Sequence, residues 1–354
     1  MALQAAESPT GVLSPLWSQI AAGAVERDRS ARFPTEAFEA LGAAGVLGAR
    51  GRVAEWALVR AAARVDGSVA RILDGHFNAA ERLDLLAPPA LRMRDLADVA
   101  AGRLWLGVWG ADPAQPHEGE PARLGPDGRV RGTKLFCSGA GGVQRALVTV
   151  RGGADADTPP LLVYLDVRER PGDGVTIDRS WFHGAGMRAS ESHRVVFDGV
   201  EPLAVLGEPG ELGREPWFSR DAMRTAATWV GLADAIVDAA LGALAQRPVI
   251  GELEAHAAGR LQTARGTCDA WIALAARRAD AGDDLRETSI AYRAAIAGAV
   301  RTILDTAAAA CGTRPFAEGE LLDRARRDLE LFLHQHRLDP LLARLGRARL
   351  EQLR

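Results

Sequence analysis

The sequence predicts an α+β multidomain chain: an N-terminal helical domain over 1–103, a central antiparallel β-barrel over 104–210 and a C-terminal four-helix bundle over 211–354. Three observations predict it. Residues 12–100 carry helical apolar spacing. The segment from Leu104 to about Leu206 breaks into short β-rich runs with turn residues between them. From Trp217 onward, long alanine- and leucine-rich stretches return.

In the first part, FPTEAFEALGAAGVLG places Phe38, Leu41 and Gly45 on one stripe, with Pro34 near a helix start. EWALVRAAARV and ALRMRDLADVAAG continue the pattern. In the middle, the runs RLWLGVWG, RVRGTKLFCSG, ALVTVRGG, PPLLVYLDV, GVTIDRSW and HRVVFDGVEPLAVLG read as strands. PDG at 126–128, GG at 152–153 and PGDG at 171–174 are turn signals. Strands without intervening helices point to an antiparallel barrel or sandwich. In the last part, helices are expected over 217–245, 252–281, 285–311 and 320–338, joined by short loops into a bundle.

Composition narrows the function classes. The chain has 354 residues and a net charge of −3, too balanced for a protein that tracks nucleic-acid phosphates. Cys137, Cys268 and Cys311 are its three cysteines and form no C-x-x-C, which argues against a disulfide framework and a thiolate zinc site and fits a reducing cytoplasm. The N-terminus, MALQAAESPTGVLSPLW, lacks the basic and apolar regions of a secretory signal. No run suggests a membrane span of about 20 apolar residues. Arginine is abundant and Lys134 is the only lysine, the bias of a GC-rich bacterial genome.

Several motifs, in order, resemble those of the acyl-CoA dehydrogenase superfamily, and the resemblance covers nearly the whole chain. FPTEAFEALGAAGVLGARG resembles the family's early helix and RGTKLFCSGAGGVQRALVTVR its G-x-K-x-W-I-T-N-G run. GMRASESHRVVFDGVEPL resembles G-M-R-x-S-x-T-x-x-V-x-F-x-x-V, and RRDLELFL the arginine–aspartate pair opening the last catalytic helix. The resemblance implies a flavoprotein oxidoreductase holding FAD, with FMN as the shorter alternative, and a homodimer or homotetramer. The leading implied reaction is α,β-dehydrogenation of an acyl thioester carried by CoA or a carrier protein, with hydride passing to flavin N5 and electrons leaving through a transfer partner. One alternative is a two-component monooxygenase of the same fold, acting on a small molecule and fed by a flavin reductase. Another is a flavin-free binding or scaffold protein.

The resemblance also nominates residues. Ser138 matches the hydroxyl that donates to flavin N5, and Phe136 the aromatic that shields the ring. On a strand, residues two apart share a face, so both can meet one ligand; the plain alternative is a strand ending in the polar turn SGAGG. GVWGADP, with Trp109, occupies the place of a flavin- and substrate-contacting loop, although its Thr-Glu-Pro is missing and Trp109 reads equally as core. RPVIG resembles R-x-x-F-G, whose arginine, here Arg247, reaches the cofactor's pyrophosphate through a two-pronged guanidinium. Of the glycine-rich segment that follows in the family, AACGTRP keeps Gly312 alone, which leaves room for FMN.

The segment RRDLELFLHQHRLDP poses the remaining question. If it is helical, Leu329, Phe332, Leu333 and His336 form one stripe, and His334 and His336 stand about 200° apart, unable to share a metal. His336 falls at the register of the family's catalytic glutamate. It reads as a general base, as a residue of oxygen chemistry near the flavin, or as a core histidine. Asp221, near the start of the first bundle helix, is an alternative base or a helix-end partner. His76, His117, His183, His193 and His256 are scattered without metal spacing.

Overall fold

The computed structural model describes residues 14–49, 51–152, 158–335 and 337–354, the side chains of residues 52 and 53 excepted. Six helices come first: α1 Pro15–Ala22, α2 Ala24–Ser30, α3 Thr35–Ala43, α4 Arg52–Val65, α5 Gly67–Leu86 and α6 Pro89–Ala100. Phe38 and Leu41 are fully buried as their spacing predicts. Gly45 is not on the stripe: it lies beyond the end of α3 at φ +72°, the left-handed geometry that stops a helix.

Eight strands follow: β1 Leu106–Trp109, β2 Arg123–Leu124, β3 Val130–Cys137, β4 Arg145–Val150, β5 Leu161–Asp166, β6 Val175–Asp178, β7 His193–Val200 and β8 Ala204–Leu206. They form two four-stranded sheets, in the orders β1-β4-β5-β8 and β2-β3-β7-β6. One pairing departs from the antiparallel expectation. β1 and β4 pair in parallel, Leu106 opposite Arg145 through Trp109 opposite Val148. A parallel pair needs a crossover, and residues 110–144, which contain β2 and β3, supply it.

Five further helices complete the description: α7 Trp217–Ala245, α8 Glu252–Asp280, α9 Arg286–Cys311, α10 Leu321–Leu333 and α11 Asp339–Glu351. The first three match expectation within a residue. The helix expected over 320–338 is α10, which ends early at Leu333, and a further helix, α11, begins only at Asp339, beyond the expected span. Pro340 sits in the first turn of α11, where its missing N–H costs nothing; inside a continuous helix it would break the hydrogen-bond ladder. The expectation that no run is long and apolar enough to span a bilayer also needs correction, because α7 and α9 both are. Trp229, Val230, Leu232, Ile236 and Val237 of α7 are buried with many of its alanines, so its apolarity suits a helix covered on most sides by its own bundle.

The chain divides into two compact units. The first comprises Met1–Ala54, Arg71–Gly184 and Arg188–Arg214, so the N-terminal helices α1–α3 and α6, most of α5 and both sheets share one body. Its core joins Ala79, Ala80 and Leu83 of α5 to Leu106, Leu147, Leu162, Tyr164 and Leu206 of the first sheet. Asp95 of α6, fully buried, accepts hydrogen bonds from Arg94 (2.8 Å) and Tyr164 (2.9 Å) and pairs with Arg145.

The second unit comprises Glu55–Ala70, Ala185–Met187 and Glu215–Arg354. Here α4 lies so close to α7 that a Cβ on Gly231 would collide with the Arg60 carbonyl. Two motifs singled out in the sequence meet in this unit. Asp328 Oδ1 accepts the Met187 N–H (2.6 Å) and Arg327 Nη1 donates to the Ala185 carbonyl (2.6 Å), so the arginine–aspartate pair of α10 clamps the Gly-Met strap.

Candidate functional site

The first unit gathers Trp109, Phe136 and Ser138 at the end of β3. The strand alternation that would set Phe136 and Ser138 on one face fails there. A register shift interrupts the β3–β7 ladder between Lys134 and Cys137, and Phe136 has φ +51°, a left-handed conformation unusual for an aromatic residue. The result separates the two side chains. Phe136 is 55% exposed and packs edge-on against Trp181 at 4.8 Å, whereas Ser138 is buried.

Ser138 belongs to a chain of three hydroxyls. Its Oγ lies 2.8 Å from Ser192 Oγ, which lies 2.8 Å from Ser190 Oγ, and all three residues are buried. Two hydrogen bonds among three hydroxyls leave one O–H for an outside acceptor. When the chain runs from Ser190 through Ser192, that spare proton is on Ser138. The main chain locks the arrangement: the Gly139 N–H donates to the Ser190 carbonyl (2.7 Å), and Trp109 Nε1 donates to the Ser138 carbonyl (3.1 Å). Trp109 is itself fully buried and spends its one polar group on that bond. It therefore positions the loop, with the Phe197 ring 6.5 Å from its own.

The glycines of SGAGG admit close neighbours. A Cβ on Gly142 would collide with the Phe33 ring, and one on Gly141 with the Glu191 carboxylate. Glu191 is buried at φ +40°. Burial pushes its carboxyl above the ordinary range, with the N–H groups of Phe33 and Gly141 opposing only in part. Among the described residues, its Oε2 and the Nδ1 of nearby His193 are buried without a hydrogen-bond partner. Burial, then the charge of Arg179, pushes the His193 imidazole down. Lys134 Nζ, also buried, donates to Asp112 (2.7 Å), Thr149 Oγ1 (2.8 Å) and the Gly110 carbonyl (3.2 Å), fastening the GVWGADP loop to β3 and β4. Sequence reasoning missed Ser190, Ser192, Glu191, Trp181 and Lys134. The S-E-S spacing was the available signal, two hydroxyls two residues apart before a strand.

The remaining nominated residues lie in the second unit. Asp221 is in the second turn of α7 and pairs with Arg224 (2.8 Å), whose other Nη donates to Glu55 (2.9 Å). Asp221 thus shares a buried arginine with Glu55, a structural role that competes with the reading of Asp221 as a base. Arg247 and Gly312 are brought together: Arg247 pairs with Glu254 and donates to the Ala310 carbonyl, and Gly312, at φ +71°, caps α9 two residues later. Both terminal nitrogens of Arg247 are thus engaged within the chain. His336 lies outside the described residues. Leu333 is the last helical residue of α10, and His334 caps it, so the opposed-face argument for the two histidines does not apply. Leu329, Phe332 and Leu333 are buried as their stripe predicts.

The fold is that of the acyl-CoA dehydrogenases and of the flavin enzymes built on the same plan. Butyryl-CoA dehydrogenase from Megasphaera elsdenii matches with a TM-score of 0.81 at 17% identity, over 96% of this chain and 99% of that one. FMN-bound TdsC from Paenibacillus sp. A11-2 matches with a TM-score of 0.80 at 20% identity, over 99% and 97%. KijD3 in complex with FMN and a dTDP-linked amino-keto sugar matches with a TM-score of 0.77 at 22% identity, over 91% and 87%. No family model and no curated protein matches the sequence.

Proposed function

We propose that the protein is a flavin-dependent oxidoreductase in which Ser138 presents a hydrogen bond to the flavin and Phe136 and Trp181 form an aromatic wall beside it. The observation that carries this reading is the buried hydroxyl chain Ser190–Ser192–Ser138 at a strained strand terminus, two residues from the exposed Phe136, which packs on the half-buried Trp181. Strain of this kind persists where the surroundings over-determine it and collects at ligand sites. The flavin, when bound, supplies the electron-accepting or oxygen-activating chemistry. The chain's own part is to fix one O–H at Ser138 and to exclude water by burying its hydroxyl partners. It also holds a protonatable carboxyl, Glu191, in the same loop, directly between Ser190 and Ser192.

Of the two reactions open to such a protein, oxygen-dependent oxidation of a small molecule with FMN is favoured over acyl-thioester dehydrogenation. Asp221 pairs with Arg224, which also holds Glu55, and Arg247 pairs with Glu254 and donates to the Ala310 carbonyl. Both nominated groups thus have partners within the chain, which supports a reading that does not use them as the carboxylate base and the pyrophosphate-binding arginine of an FAD dehydrogenase. Dehydrogenation keeps its support from the register of His336 in the sequence. Titrating the purified protein with FMN while recording the flavin absorption bands tests the reading. Saturable binding with a perturbed spectrum is expected, and Ser138→Ala should weaken it or return the bands toward free FMN. An unperturbed spectrum at saturating FMN and FAD would leave the scaffold reading. Oxygen uptake that depends on added reduced FMN supports oxygenation, whereas anaerobic bleaching by an acyl-CoA supports dehydrogenation.

A further inference from the structure

Several arginines inside the second unit hold carboxylates. Arg60 grips Asp234 with the edge formed by Nε and Nη2, at 2.7 and 3.2 Å, and reaches Asp269 as well. Arg265 pairs with Asp234 and Asp238, and Arg224 with Glu55 and Asp221. Arg293, on α9, departs from them. It is 4% exposed, and its Nε and Nη2 are buried without a hydrogen-bond partner among the described residues. Those two atoms are the same edge that Arg60 uses to hold a carboxylate, and that Arg168 in the first unit uses on Asp166. Burial pushes the Arg293 guanidinium down to about 10, so it is still charged at neutral pH, and no carboxylate among the described residues offsets that charge. An uncompensated buried cation is among the most costly groups a fold can carry.

Its surroundings are aromatic. The guanidinium carbon lies 5.8 Å from the ring centroid of Trp229 on α7, and Phe332 of α10 packs edge-on against the same indole at 6.3 Å. The Trp229 Nε1 is a second buried donor without a partner. An indole face attracts a cation but satisfies none of the N–H groups at the guanidinium edge.

We propose that Arg293 and Trp229, on the neighbouring helices α9 and α7, form a binding site for the carboxylate of a small apolar acid. The free Nε–Nη2 edge receives the two oxygens side by side, and the aromatic rings of Trp229 and Phe332 suit the apolar body. The site lies within the second unit and does not depend on the flavin reading.

The test follows the arginine Nε–H resonances of the full-length protein by NMR, without added flavin. The Arg293 signal is assigned by its disappearance in Arg293→Gln, with Arg293→Lys as a second assignment should the first variant not fold. Benzoate, acetate and inorganic phosphate are titrated separately at constant ionic strength set with chloride. The expected result is a saturable shift of the Arg293 signal with benzoate, saturating at lower concentration than with acetate. Thermal stabilisation by benzoate should accompany it and be reduced about tenfold or more in apparent affinity in Arg293→Lys, which keeps the charge but loses the two-pronged edge. A saturable response to phosphate alone would overturn the carboxylate assignment. No saturable shift with any of the three would overturn the site.

Discussion

Two buried carboxylates in the first unit have opposite surroundings. Asp95 sits behind the first sheet with Arg145, Arg94 and Tyr164 all donating to it; burial alone would raise its carboxyl, and those hydrogen bonds more than reverse the effect and hold it below the ordinary range. Glu191 sits in the loop before β7 with main-chain donors, and burial wins, so its carboxyl is raised. Both are shielded from water, so burial does not distinguish them. The difference is a directly bonded cation: Arg145 and Arg94 bond Asp95, whereas Arg179 and Arg32 act on Glu191 through their charge alone. Asp95 is held as an anion and ties α6 to the sheet; burial disfavours the charged form of Glu191 beside the hydroxyl chain.

The largest expected effect breaks the Asp95 side of that contrast. Asp95→Ala should cost about 3–5 kcal/mol in unfolding free energy by chemical denaturation, because it strands Arg145 beside a buried hydroxyl. In the wild-type protein, the contribution of Asp95 is fully present above its unfolded pKa of about 3.9 and is lost as pH falls through its lower folded value. A variant that loses less than about 1 kcal/mol would show that the network is not a stabilising clamp.

A smaller effect is expected at the hydroxyl chain. Ser192→Ala leaves Ser138 and Ser190 each short of a partner and should cost about 1–3 kcal/mol. It should also weaken FMN binding without touching Ser138 itself. Unchanged flavin affinity in a folded Ser192→Ala protein would disconnect the chain from the cofactor.

The smallest effect sharpens the contrast through pH. A raised acid makes its full contribution below its unfolded pKa of about 4.3, and that contribution is lost as pH rises through the folded value. Glu191→Gln, which cannot ionise, should therefore match wild type in acid and exceed it at neutral pH. Parallel stability curves for the two proteins across that window would refute a raised Glu191.

How much of this was legible in the sequence depended on the range of the interactions involved. The helix–β–helix order, the stripe of Phe38 and Leu41, and the ends of α7, α8 and α9 follow from local periodicity, and the structure has them. The parallel pairing of β1 with β4 was not legible, because register between strands so far apart along the chain leaves no local trace. The separate start of α11 could have been read from Pro340, which suits a first helical turn, but the last expected helix stopped at residue 338. At the candidate site, Ser138 was reached through resemblance, whereas its partners Ser190 and Ser192 come from a loop that precedes a different strand. The reversal of Phe136 depends on a positive φ that no side-chain pattern announces. Arg293 was equally hidden: in a chain rich in arginine, only its buried, unmatched edge sets it apart from paired residues such as Arg60 and Arg224.

The single lysine has a practical corollary. Lys134 is 1% exposed and its ammonium is held by Asp112, Thr149 and Gly110, so the folded first unit shields the only side-chain amine in the protein from solvent. Amine-directed reagents should therefore leave the native side chains unmarked and label position 134 only when β3 opens. That makes the rate of acylation at one residue a direct clock for local unfolding of the sheet that carries Ser138, readable by mass spectrometry without an engineered probe.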